Sequence, residues 1–78
     1  MTLISQNGNV VLCMNNFNIV KLSEEIIAVT PDGKSEVSLA TYSSGTKAEV
    51  EWKRLLYRIE HYTDSNTYKF RNDEEVMG

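Results

Sequence analysis

The chain has 78 residues, 41% of them hydrophobic, and a formal net charge of −3. This length allows one domain, which buries only about 60% of its unfolded surface, so we expect modest stability that self-association would supplement. The acidic balance disfavours a duplex-binding domain, which usually carries a basic excess, and the chain lacks the ~20-residue apolar run of a membrane-spanning helix.

The first forty residues contain five β-type segments separated by turn residues. Asn7-Gly8 is a dipeptide favoured in two-residue hairpins, where both positions take positive φ, and Gly33 in "PDGK" suits the left-handed position of another turn. Short connections favour antiparallel neighbours. We therefore predict an antiparallel five-stranded meander with strands at about 2–5, 9–14, 18–22, 25–30 and 35–42.

The facing of the fourth strand is left open by its sequence, "EIIAV". Either Ile26 and Ala28 or Ile27 and Val29 face the core, because both parities are apolar. We therefore expect the face of the sheet that points away from the core to be partly shielded from solvent. Curling of a twisted sheet and contact with another subunit both explain this pattern.

Residues 44–62 have the periodicity of an amphipathic helix. Ser44 is the expected N-cap, with Thr46 as the alternative, since either hydroxyl can accept a hydrogen bond from a first-turn amide. At about 100° per residue, one stripe is mostly apolar and is the expected core face. It contains Ala48, Trp52, Leu55, Leu56, Ile59 and Tyr62.

The opposite stripe of the helix carries Val50, Arg54, Tyr57 and His61. Single apolar residues are common on protein surfaces, so ordinary exposure explains this stripe. A partner helix or a second protomer covering it is the functional alternative.

The segment after the helix alternates Tyr68 and Phe70 with Lys69, which indicates a short edge strand or a cover over the sheet edge. The acidic end, residues 71–78, is expected to be flexible. The fold prediction is α+β: one domain over residues 1–70, an antiparallel five-stranded meander, and a C-terminal helix packed on one face. A short extra C-terminal strand is allowed for.

The chemistry-bearing residues do not form a recognisable catalytic or metal motif. His61 is the only histidine, and Cys13 is the only cysteine, so no internal disulfide forms. Glu24, Glu25, Asp32 and Glu36 lie at turns or hairpin flanks, where charge keeps strand edges soluble. We expect no catalytic residues, no metal and no cofactor. The start, "MTLISQNG", lacks signal-peptide features, and we expect a cytoplasmic protein that does not contact membranes.

Basic residues on the helix raise a nucleic-acid alternative. Lys47, Arg54 and Arg58 share a stripe, and Arg71 follows downstream, so they could contact phosphates. However, Glu51 is within reach of Lys47 and Arg54, and such pairs are typical of a solvated helix face. Nucleic-acid binding is therefore the less favoured interpretation.

The segments "LISQNGNVVLCMNNF" and "LATYSSGTKAEVEWKRLLYRI" resemble a group of small uncharacterised bacterial proteins found near prophages or mobile elements. That group has an initial "I-S-Q-[DN]-G" hairpin, an Asn or Asp turn, and an "L-G-x-Y" segment before a capped helix. Here Ala40 replaces the usual glycine, and Gly45, Thr46 and Lys47 replace the usual acidic residues. The resemblance implies a compact module without established activity, and no catalytic residues.

Together these features predict a small, non-enzymatic protein-interaction module, derived from a phage or mobile element and able to form a homodimer. The expected partner is a protein or a second copy of the chain. The candidate partner-binding residues are Val50, Arg54, Tyr57, His61, Tyr68 and Phe70.

Overall fold

The structure, a computed structural model, describes residues 1–61 and 67–77. Its strands are β1 (Thr2–Ile4), β2 (Val11–Cys13), β3 (Asn18–Lys21), β4 (Glu25–Val29), β5 (Glu36–Thr41) and β6 (Thr67–Lys69), and its α-helix is α1 (Gly45–His61). Single 3-10 turns lie at Met14–Asn16 and Asp73–Glu75. The first five strands all fall inside the predicted ranges.

The strands form two three-stranded sheets, so the predicted five-stranded meander is wrong. One sheet is mixed, in the order β2-β1-β6, and the other is antiparallel, in the order β3-β4-β5. The 3-10 turn at Met14–Asn16 separates β2 from β3, so the two N-terminal hairpins do not pair along one sheet. The free edge of β1 is taken by β6, which runs parallel to it with Leu3 opposite Tyr68. The long crossover that a parallel pair requires contains α1.

The β1–β2 connection is a longer loop than the predicted two-residue hairpin. Among the described residues positive φ occurs only at glycines, so Gly8 is left-handed at 79° and Asn7 is not. The loop closes where the Ser5 amide donates to the Val10 carbonyl at 2.9 Å. The Ser5 hydroxyl donates to the Asn7 side chain at 2.8 Å, which holds the loop from within.

The β4–β5 turn uses the same chemistry with different residues. The Thr30 hydroxyl donates to the Asp32 carboxylate at 2.7 Å, and the Lys34 amide donates to the same oxygen at 2.9 Å. These two hydrogen bonds lower the pKa of Asp32, and the bond from the Thr30 hydroxyl has the larger effect. Gly33 has a φ of 74°, which confirms the predicted left-handed position.

Gln6 connects the two sheets. Its amide donates to the Leu39 carbonyl at 2.7 Å, so its main chain continues along the edge of β5. Its side chain then pairs with Thr41 as a peptide group would, donating from Nε2 to the Thr41 carbonyl at 3.0 Å and accepting from the Thr41 amide at 3.2 Å. Gln6 therefore acts as a short additional strand beside β5.

The core settles the facing of β4. Ile26 and Ala28 are fully buried in the main cluster of apolar side chains, with Leu3, Leu39, Leu55 and Phe70. Ile27 lies on the other face of the sheet, opposite Val20 in the neighbouring strand, and is 6% exposed.

The helix begins as predicted but faces the core differently. The Lys47 amide donates to the Ser44 hydroxyl at 3.2 Å, which confirms Ser44 as the N-cap. Leu56 and Ile59 are 39% and 37% exposed, so their predicted burial is wrong. The buried residues of the helix are Ala48, Glu51 and Leu55, so its core face includes a carboxylate that contacts the C-terminal segment. The predicted helix end and core position at Tyr62 lie outside the described residues.

The C-terminal segment, residues 67–77, lies against the rest of the fold. Val76 is 2% exposed and belongs to the main core. The Asp73 carboxylate accepts a hydrogen bond from the Ser43 amide at 2.8 Å, and Lys47 lies 3.4 Å away. The flexibility expected of residues 71–78 stays a prediction. Within the described part of the chain, no helix is long and apolar enough to cross a membrane.

Candidate binding surface

Glu51 lies at the buried side of α1 and ties the helix to the C-terminal segment. Its side chain is 0% exposed. One carboxylate oxygen accepts hydrogen bonds from the Tyr68 hydroxyl at 2.8 Å, the Arg71 amide at 3.1 Å and the Arg54 guanidinium at 3.2 Å. The other accepts from Arg71 Nε at 2.8 Å. This one carboxylate therefore joins α1 to the C-terminal segment at two residues, Tyr68 and Arg71.

Two tyrosines next to this carboxylate are held in their neutral form. Burial, with the hydrogen bond to Glu51 and its charge, raises the pKa of Tyr68 well above its usual value. Burial and the charge of Glu51 also raise the pKa of Tyr42, whose hydroxyl donates to the Arg71 carbonyl at 2.9 Å. Both hydroxyls therefore act as hydrogen-bond donors over the ordinary pH range.

The basic residues considered for phosphate binding are engaged within the chain. Arg54 and Arg71 bind Glu51, and Lys47 binds Asp73. Arg58 donates to the Thr67 carbonyl at 3.3 Å, and its guanidinium carbon lies 5.4 Å from the Tyr68 ring centre. A phosphate backbone would have to compete with several of these contacts at once, which counts against the nucleic-acid alternative.

Tyr68 and Phe70, two of the candidate partner-binding residues, lie in the core. Each is 1% exposed, and their rings meet edge to face at a centroid distance of 5.1 Å. Tyr68 is covered because β6 pairs with β1, and Phe70 continues that pairing by donating its amide to the Ile4 carbonyl at 3.1 Å. The predicted short edge strand is therefore present as β6, but the side chains of Tyr68 and Phe70 are buried, so the remaining candidate residues lie on the helix.

Val50, Tyr57 and His61 form the outer helix surface, on the side of α1 away from the core. Tyr57 is 55% exposed and Val50 36%. The rings of Tyr57 and His61 stack with centroids 4.1 Å apart and planes inclined by 17°. His61 Nδ1 lies 3.0 Å from the Tyr57 carbonyl oxygen, which fixes the ring against the last turn. The stacked pair is thus a preformed aromatic platform.

The fourth candidate on this side, Arg54, borders the outer helix surface rather than standing free on it. Its guanidinium donates to Glu51 and to the Tyr68 hydroxyl, the latter at 3.2 Å, and its carbon lies 5.0 Å from the Tyr68 ring centre. Its side chain is still 37% exposed. It therefore brings positive charge to the border of the surface from a fixed position.

A second exposed surface lies on the β3 side of α1. It contains two apolar residues, Leu56 and Ile59, and two charged ones, Lys53 and Glu60, and we call it the lateral helix surface. Glu49 marks this side, because it binds Lys21 of β3 at 3.4 Å. The Lys53 side chain is 73% exposed and lies 3.9 Å from Glu49, at the long limit of an ion pair. The sequence prediction had placed Leu56 and Ile59 in the core.

The main residue that sequence reasoning missed is Glu51, which was assigned to a solvated face. Its spacing carried a signal: Glu51 lies three residues after Ala48 and four before Leu55, so all three share one side of the helix. A carboxylate among core residues needs partners from elsewhere in the fold, and those partners lie far along the chain at Tyr68 and Arg71.

The remaining chemical groups do not converge. Cys13 is exposed on β2, apart from His61 at the end of α1. The described residues contain no group of three or more His, Cys, Asp or Glu side chains that could share a metal ion. A shallow polar notch of about 120 Å³ lies between Gln6, Asn7 and residues 38–41, where Gln6 already binds Thr41.

No protein-family model, curated protein or solved structure matches this chain.

Proposed function

We propose that the chain is a small, non-enzymatic protein-interaction module that binds a segment of another protein through the outer helix surface. The observation that carries this proposal is the stacked pair of Tyr57 and His61, exposed beside Val50 on the side of the helix that the core does not use. Tyrosines that present a large, rigid apolar face with a polar tip are enriched at protein interfaces.

Charge at the border of the surface indicates the chemistry of the partner. Glu51 is the buried carboxylate here, and it faces the guanidinium groups of Arg54 and Arg71, with Arg58 beside them. The Arg54 side chain is 37% exposed, so part of its positive charge reaches the border of the outer helix surface. A partner segment with an apolar anchor residue flanked by Asp or Glu would complement it.

The experiment selects peptides of this kind on the purified protein. A displayed library of acidic peptides with one varied apolar or aromatic position is panned against the wild type, and the selected peptide is titrated calorimetrically. We expect Tyr57→Ala to weaken binding at least about tenfold, as truncation of an anchoring aromatic residue does. Lys34→Ala, an exposed change in the distant β4–β5 turn, is the matched control and should leave the affinity unchanged.

Two results would overturn the proposal. The first is a library that yields no peptide above background, and the second is a selected peptide that binds Tyr57→Ala as tightly as the wild type. A mixed DNA or RNA probe at low and high salt is measured in parallel. Salt-sensitive binding of that probe, without peptide binding, would support the nucleic-acid interpretation instead.

A further inference from the structure

The lateral helix surface continues a row of residues along α1 that has the spacing of a helix–helix seam. Glu49, Trp52, Leu56 and Ile59 follow one another at alternating intervals of three and four residues, the a and d positions of a heptad. Lys53 and Glu60 both occupy the next position, e, one heptad apart. The other flank of the seam, which includes Leu55, is buried in the chain's own core.

The apolar residues of this seam are partly exposed, so a partner could bury the part that the chain's own core leaves uncovered. Leu56 and Ile59 are 39% and 37% exposed, and Trp52 is partly buried against the core. The charged residues at the rim of the seam, Lys53 and Glu60, have opposite signs and are both exposed. Apolar residues at the centre with charges at the rim are the usual arrangement of an interface.

We propose that a second copy of this chain covers the lateral helix surface, with the two helices antiparallel about a two-fold axis. The axis passes level with the midpoint between Leu56 and Ile59, so Leu56 of each copy packs against Ile59 of the other. The sheets of the two copies then lie on the same side of the helix pair. This surface is separate from the outer helix surface, so the inference does not depend on the proposed function.

Charge complementarity selects this occupant and this register. Antiparallel helices bring their e positions together, and here Lys53 of each copy meets Glu60 of the other, so the two-fold axis generates the attractive pair twice. Sliding the helices by one heptad would instead place Lys53 next to Lys53. A parallel arrangement would put identical charges at the same level, so neither alternative is electrostatically favoured.

The weak intramolecular contact of Lys53 makes it available for such a pair. Its distance of 3.9 Å to Glu49 is the longest of the ion pairs among the described residues, and Glu49 is already bound by Lys21 at 3.4 Å. Moving the Lys53 amine from Glu49 to a carboxylate of a second copy would therefore disrupt little within the chain.

Charge reversal gives a direct test by sedimentation velocity over a range of concentrations. We expect the wild type to associate, and Lys53→Glu and Glu60→Lys each to weaken association at least about tenfold, because each turns both attractive pairs into repulsive ones. An equimolar mixture of the two variants should recover dimers, since its heterodimer contains two attractive pairs. The double variant K53E/E60K should recover homodimers for the same reason.

Both altered positions, Lys53 and Glu60, are solvent-exposed, so each variant should keep the fold, and circular dichroism checks this. A wild type that sediments as a monomer up to millimolar concentration would overturn the proposal. Dimers that persist unchanged in both single variants, or single variants whose mixture stays monomeric, would also overturn it, because they would place any association elsewhere or in another register.

Discussion

At the scale of single residues, Glu51 determines how the C-terminal segment attaches to the helix. A buried carboxylate is costly unless its oxygens are fully hydrogen-bonded, and here they accept bonds from Arg54, Tyr68 and Arg71. In the described part of the chain, no buried side-chain nitrogen or oxygen lacks a hydrogen-bond partner. The Glu51 carboxylate is therefore fully hydrogen-bonded only when residues 68–71 are packed against the helix.

Glu51→Gln tests this dependence. The variant keeps the side-chain shape but removes the charge and turns one acceptor into a donor, so we expect a loss of about 2–4 kcal/mol in the free energy of unfolding. This loss of stability is smaller than for a fully buried ion pair, because both arginines are about one-third exposed. Urea unfolding followed by Trp52 fluorescence measures it.

Glu49→Gln is the matched control for that variant. Glu49 lies on the same helix and binds two lysines, but its side chain is 44% exposed, so its loss should cost less than about 1 kcal/mol. Equal losses in the two variants would show that the burial of Glu51 contributes nothing beyond a surface pair.

The tyrosines predict the behaviour of the fold at high pH. Burial raises the pKa values of Tyr42 and Tyr68, so the stability that their neutral form contributes is complete below about pH 10, the usual tyrosine value, and is lost as pH rises toward the folded-state pKa values. Absorbance at the tyrosinate band should therefore show these two of the four tyrosines ionising only as the chain unfolds. Tyr42→Phe and Tyr68→Phe should each remove one late-ionising group. Full ionisation near pH 10 in the folded chain would contradict the burial of both hydroxyls.

At the scale of elements, local patterns identified the elements but not their pairing. The Ser44 cap and the apolar periodicity located the helix, and turn residues delimited the first five strands, because these signals act over a few neighbouring residues. The joining of β6 to β1 depends on contacts between residues far apart in the chain, such as Phe70 with Ile4 and Glu51 with Arg71. Because such contacts are not visible in a local pattern, the candidate surface could be predicted only in part. Val50, Tyr57 and His61 lie outside the core as predicted, whereas Leu56 and Ile59 are exposed although the periodicity predicts a core position.

The β4–β5 turn supplies a prediction about backbone conformation. Gly33 has a φ of 74° and an added Cβ would meet nothing within 4 Å, so the cost of a substitution there is conformational rather than steric contact with neighbours. Gly33→Ala should lose about 1 kcal/mol of folding free energy. Gly33→Asn should lose less, because asparagine tolerates the left-handed region better. Thermal unfolding of both variants checks the order, and an alanine variant as stable as the wild type would contradict the positive φ.

At the scale of the whole molecule, the chain is as compact as a folded monomer. Its accessible surface is 4791 Å², against about 4,800 Å² expected for a monomeric protein of 8.9 kDa. The chain therefore exposes no more surface than a monomer of its size usually does, although a domain this small has little stability to spare. Partner surfaces on the two exposed sides of the helix would add to a fold that is already complete.

One side of α1 closes the core with the C-terminal segment, and the two proposed partner surfaces lie on other sides of the helix. Amide hydrogen exchange followed by NMR tests this most directly, at the amides of Phe70 and Arg71. The Phe70 amide donates to Ile4 and the Arg71 amide to the buried Glu51 carboxylate, so both should be protected to the same degree as the amides of β4. Exchange of these two amides at the rate of an unstructured peptide, while β4 stays protected, would show that the C-terminal segment does not close the core.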